Sequence, residues 1–185
     1  MTTLINGRFL AKPLSGVGLV ARELTRALLA EIAGLEPSLR PALAIAAPKG
    51  VVLPLPSGFS LEDHADWLRV VPGPRTVPEE QMLLPQFRGA RHVLNFCNAA
   101  PLLASRLTVW LPDAQVFDSP ESYSTGFRLY SQGMIQALRL RRAEVATVSE
   151  YSKSRLVHHG LSPDQITVVL NGGDHLQGVP PDPSP

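Results

Sequence analysis

The chain has 185 residues, 44% of them apolar, and a formal net charge of +1. That is enough apolar mass for one packed domain, and so even a charge balance supplies no global field to draw nucleic acid. Cys97 is the single cysteine, which excludes an intrachain disulfide and any need for an oxidising compartment.

Residues 1–6 lack the basic start and long apolar run of a secretory leader. No apolar run approaches the ~18 residues of a spanning helix, so a cytosolic setting is expected. The chain opens with a short apolar strand, Leu4-Ile5-Asn6. After a loop, Val17, Val20, Leu24, Ala27, Leu28 and Ile32 recur at three- and four-residue steps, predicting a helix from about Gly16 that Gly34 and Pro37 end. Leu43 to Ala47 and Trp67 to Val71 are compact apolar runs bounded by proline or glycine, and read as buried strands. Pro78-Glu79-Glu80 suits a helix first turn, with its acids at the positive dipole end, running to about Phe87. Strands are predicted at His92–Phe96, Leu107–Leu111, Val145–Val148 and Ile166–Leu170. Between them lie a long amphipathic segment from about Glu121 to Arg142, with Phe127, Tyr130, Met134, Ile135 and Leu138 on one side, and a helix from Glu150 to His159. Strands that alternate with helices and read as continuous apolar runs predict an α/β domain, Rossmann-like and doubly wound on a mainly parallel sheet. The 18 prolines punctuate loops, and residues 177–185, "GVPPDPSP" with its flank, read as the start of an extended linker.

Gly16-Val17-Gly18-Leu19-Val20-Ala21 matches G-x-G-x-x-A, but a dinucleotide fingerprint needs the turn directly after the first strand and an acid at the end of the second. Nine residues separate Asn6 from Gly16, and the second strand ends in "AIAAPKG". Both requirements fail. What survives is a glycine-containing loop feeding a helix amino end, where exposed amides and the helix dipole favour an anion.

"INGRFLAKPLSGVGLVARELTRALL" resembles the opening of retaining, GT-B-fold glycosyltransferases of family four, with its "G-V-x-x-x-x-x-E-L" helix start. The likeness continues through "LNFCNAAPL", "PDAQVFDSPESYS", "ATVSEYSKSRL" and "ITVVLNGGDHL", in the family's order and spacing across nearly the whole chain. The resemblance implies that residues 1–176 form the N-terminal, acceptor-side domain. It implies a C-terminal donor-binding domain beyond the linker, so that the chain alone would be inactive. It further implies transfer of a sugar, with retention, from a nucleotide-sugar to a glycan or lipid-linked acceptor, without a metal or other cofactor. Gly16, Val17 and Gly18 would lie by the donor's diphosphate and sugar, and Asn171-Gly172 would hinge into the second domain; read alone, Asn-Gly is an ordinary turn.

One departure stands out. The histidine usual before Asp113 is Pro112, whose side chain neither donates nor accepts. Asp113 is therefore either a cleft residue that bonds an acceptor hydroxyl or a cap on the next turn. Ser149 sits where a strand meets a helix: a good N-cap with Glu150 behind it, and also at the rim where ligands bind in such sheets. Asn95 and Asn98 occupy another such rim and offer hydrogen bonds for sugar hydroxyls. Cys97, tied to no base, reads as a small buried apolar residue. Arg128, Arg139, Arg141, Arg142, Lys153 and Arg155 form a locally basic stretch that suits either a solvated helix end or peripheral contact with an anionic membrane. His158-His159 fall at a helix carboxyl end, and neither they nor His64, His92 and His175 have metal-ligand spacing. The other class of reading is a non-catalytic Rossmann-like binding or assembly module.

Overall fold

The structure, a computed structural model, describes residues 2–83, 90–104 and 106–172. Seven strands form one parallel sheet in the order β3-β2-β1-β4-β5-β6-β7. They are β1 (Thr2–Asn6), β2 (Ala42–Ala47), β3 (Leu68–Pro72), β4 (Ala90–Asn95), β5 (Leu107–Trp110), β6 (Glu144–Thr147) and β7 (Ile166–Val168). The helices are α1 (Gly16–Gly34), α2 (Val77–Leu83), α3 (Gln115–Asp118), α4 (Thr125–Leu140) and α5 (Glu150–His158). The order runs outward from β1 through β2 to β3, then resumes on β1's other side with β4. This is the doubly wound α/β arrangement the sequence predicts, and it places a topological switch between β1 and β4.

Successive strand side chains point to opposite faces, and the two cores follow that alternation. Leu4, Ala44, Ala46, Val93, Val109 and Val145 face Met134, Ile135 and Leu138 of α4 and Leu156 of α5. Ile5, Leu43 and Ile45 face Ala21, Leu29 and Ile32 of α1. Strands buried on both faces explain the unbroken apolar runs in the sequence.

Two local expectations are corrected. The buried face of α1 is Gly18, Ala21, Thr25, Leu29 and Ile32, one step round from the predicted stripe: Val17, Val20, Leu24 and Leu28 are half-buried and Ala27 is exposed. Many apolar positions on α1 made two stripes readable, and packing against the sheet selected the one with small residues. The amphipathic segment starts later than predicted, at Thr125, because Pro120 to Ser122 form a 3-10 turn and Ser124 caps α4 by accepting from the Phe127 amide. Glu79 and Glu80 lie in the first turn of α2 as predicted, and Glu80 is in addition fully buried. The predicted end of its helix near Phe87, and everything beyond Gly172, including the 176/177 boundary and the linker, lie outside the described residues.

Glycine is sterically required away from the loop that drew attention in the sequence. A Cβ on Gly7 would sit 2.5 Å from the Ala46 carbonyl oxygen, and one on Gly73 would overlap the same oxygen. The carbonyl at the end of β2 thus sits between two chain segments that only glycine lets approach so closely. At Gly16 no atom would lie within 4 Å of an added Cβ.

Candidate functional site

A cavity of about 630 Å³ opens at the carboxyl ends of β1 and β4, the position where open α/β sheets bind ligands. Five segments build its wall, Val77 and Pro78 at the start of α2 among them. Arg8 and Phe9 follow β1, Cys97 and Asn98 follow β4, Val17 and Gly18 open α1, and Phe127 and Tyr130 come from the first turns of α4. Ser15 has extended backbone and caps α1, accepting from the Gly18 amide at 3.2 Å, while Leu19 N–H donates to the Ser15 carbonyl at 2.8 Å. The Gly16 and Val17 amides make no hydrogen bond among the described residues, as expected for the first positions of a helix.

Beneath the cavity lies a buried polar network. Asn6 Nδ2 donates to Glu80 Oε2 at 2.8 Å and to Asn95 Oδ1 at 2.6 Å, and Asn6 Oδ1 accepts from the Arg8 amide at 3.1 Å. Arg8 Nε donates to Glu80 Oε2 at 2.5 Å, and Asn95 Nδ2 donates to the Cys97 carbonyl at 3.0 Å. Strand ends β1 and β4 are thereby tied to α2. Burial, then the Glu80 charge, holds the Tyr130 phenol above its ordinary range. Burial pushes the Cys97 thiol up to about 11, so the thiol is protonated at neutral pH and packs as the apolar residue expected of it.

The residues singled out in the sequence divide among different places. Val17, Gly18 and Asn98 line the main cavity, and Gly16 adjoins it through the chain. Asn98 and Phe127 also line a neighbouring pocket of about 70 Å³, which holds Asp113. Asp113 is exposed, and its Oδ1 accepts from the Gln115 amide at 2.9 Å. The carbonyl of Pro112 accepts from Thr147 Oγ1 at 3.3 Å, joining the ends of β5 and β6. Ser149 lines neither of these cavities; it caps α5, accepting from the Ser152 amide at 3.0 Å. Asn171 and Gly172 line a third pocket, of about 280 Å³, with Leu19 and Leu24 of α1 and with Trp110. Asn95, expected at the rim, is fully buried and committed to the network.

The arrangement also contains residues that sequence reasoning passed over. Arg8 sits directly after an apolar strand, in "LINGRFL", and a charge at the carboxyl end of a central strand is the signal that could have exposed it. Phe127 and Tyr130, predicted on one side of the amphipathic segment, line the cavity, and Tyr130 also packs against the core. A second cluster lies apart from it: Arg155 donates to Asp118 through Nε at 3.0 Å and Nη2 at 2.6 Å, and His159 Nε2 is 2.7 Å from Asp118 Oδ1. With Arg142 paired to Asp164 and Arg141 donating to the Ala104 carbonyl, three of the six basic residues of that stretch are engaged inside the chain. No described helix is long and apolar enough to cross a membrane.

The fold and the cavity define a doubly wound α/β domain with a ligand-sized cleft at its switch point. No protein-family model and no curated protein matches the chain. Among solved structures it is similar to HepE of Anabaena in complex with UDP and glucose, at 14% identity and a TM-score of 0.49, covering 92% of this chain and 44% of HepE. It is likewise similar to HepE in complex with UDP-glucose, at 16% identity and a TM-score of 0.47, covering 92% and 43%. The chain spans less than half the length of the structures it matches.

Proposed function

We propose that the chain is the N-terminal, acceptor-side domain of a GT-B glycosyltransferase. The transfer would move a sugar, with retention, from a nucleotide-sugar to a glycan or lipid-linked acceptor. The observation that carries this reading is the meeting of the α1 amino end and Asn98 at one cleft on the switch point, given the five segments that resemble that family in order along the chain. Backbone amides at Gly16 and Val17, with the α1 dipole behind them, suit the leaving diphosphate without a metal. Asn98 has both donor and acceptor atoms for sugar hydroxyls, and Asp113 lies one pocket further along the same wall. Asn171 and Gly172 would lead into a donor-binding domain.

On this reading the 185-residue chain mixed with nucleotide-sugar and acceptor shows no turnover. The test is to determine the coding sequence beyond codon 185 and to assay the extended product with a panel of nucleotide-sugars. An immediate stop codon, or an extended product without sugar transfer, refutes the proposal. One observation favours a second reading, a non-catalytic binding module: the Asp113 carboxylate already serves a turn amide, and Pro112 offers no side-chain hydrogen bond in its support. Ligand binding without transfer by the extended product would select it.

A further inference from the structure

Arg8 is almost wholly buried, with only 3% of its side chain accessible, yet it lines the main cavity. Its Nε is committed to Glu80; its two terminal nitrogens make no hydrogen bond among the described residues. A guanidinium in water would have every N–H solvated, so a buried one with two open nitrogens facing a cavity is set up to receive an oxyanion. The surroundings agree. Lys12 lies at the same cavity and is exposed, and no carboxylate among the described residues lines the wall. Glu80 offsets one charge from beneath, through a single oxygen held by Arg8 Nε and Asn6, leaving the Lys12 charge unopposed. Phe9, Val77, Phe127 and Tyr130 give the rest of the wall a largely apolar and aromatic character, with Asn98 as a polar member.

We infer that this cavity binds an organic phosphate, the acidic group on Arg8 and Lys12 and an apolar or ring-shaped body against Phe127 and Tyr130. In the proposed function, on which this assignment to a substrate rests, the ligand is a phosphorylated acceptor rather than the donor's diphosphate. Recognition then has two parts. The bidentate fork of Arg8 selects for oxyanion geometry, and the aromatic wall selects for a body that inorganic phosphate lacks.

The probe is phenyl phosphate, titrated into the chain by calorimetry beside phenol, inorganic phosphate and UDP. Phenyl phosphate should bind at least tenfold more tightly than phenol or inorganic phosphate, and less tightly as salt is raised. Lys12→Ala and Phe127→Ala, both at accessible side chains, should each weaken it several-fold with unchanged circular dichroism. Arg8→Lys keeps a charge beside Glu80 but removes the fork, and should cost at least tenfold in affinity. Equal affinity for phenol, or indifference to Lys12→Ala, would overturn the site. Displacement of phenyl phosphate by UDP at equal concentration would give the oxyanion site to the donor and overturn the acceptor assignment. Failure of the glycosyltransfer reading shows instead as absent turnover in the extended product, and leaves these affinities untouched.

Discussion

Arg8 and Glu80, 72 residues apart in the chain, form an ion pair 2.5 Å long in which both side chains are almost wholly buried. It fastens the end of the central strand to α2 and so sets the floor of the cavity. Removing one partner leaves the other charged and buried, which costs about 3–5 kcal/mol, whereas replacing both by apolar residues is often near neutral. Arg8→Met should therefore lower the urea unfolding midpoint far more than Arg8→Met combined with Glu80→Leu. Equal losses in the two would show that the charges are not coupled.

The two kinds of glycine should respond oppositely to alanine. Gly73→Ala forces a methyl group into the Ala46 carbonyl and should destabilise by about 1–3 kcal/mol, the usual cost of overpacking. Gly16→Ala meets nothing within 4 Å and stiffens the unfolded chain, so it should leave stability unchanged or raise it by up to about 1 kcal/mol. Thermal melts of both variants decide the matter, and a large loss in Gly16→Ala would mean that the loop is packed more tightly than described.

Acid stability should depend on Asp118. The hydrogen bonds from Arg155 first, and His159 second, hold its carboxyl well below the usual range. A carboxylate with a depressed folded value contributes stability that is complete above the unfolded value, near pH 4, and is lost as pH falls through the folded one. Asp118→Asn should thus flatten the decline in stability below about pH 4, read as urea midpoints at successive pH values. An unchanged acid limb would remove the cluster from the account of acid unfolding.

Cys97 should be silent in the native state. With its thiol pushed up to about 11 by burial, little thiolate exists at pH 8, and thiolate is the reactive form. Ellman's reagent should therefore find close to no thiol in the native chain and one per chain in concentrated urea. Native labelling as fast as in urea would contradict both the burial and the raised thiol.

Strand positions were legible because both faces of a parallel sheet are covered, which writes each strand as an apolar run: Leu43 to Ala47 is the clearest. The cap at Ser149 was legible too, since serine before a helix acts through its own neighbours. What depended on distant partners was not. Glu80 looks like any acid in a first turn until Arg8 and Asn6 are brought to it, and α2 is too short for periodicity to reveal an inward face. Phe127 and Tyr130 share a stripe with Met134 and Leu138, and only the end of the sheet decides that the stripe leaves the core and enters a cavity. The crowding at Gly7 and Gly73 arises between segments far apart in sequence, so the glycines that matter most for packing carried no local mark.

The sheet order has a consequence for how the chain is made. Of the described strands β1 is synthesised first, yet it lies in the middle of the sheet between β2 and β4. Once β2 and β3 have been synthesised, the three strands can pair, but β1 then presents a bare parallel edge until residues 90–95 arrive to cover it. Between the synthesis of β3 and that of β4 the nascent protein carries an open edge of the kind that recruits stray strands. Slow synthesis between residues 72 and 90 would lengthen that window.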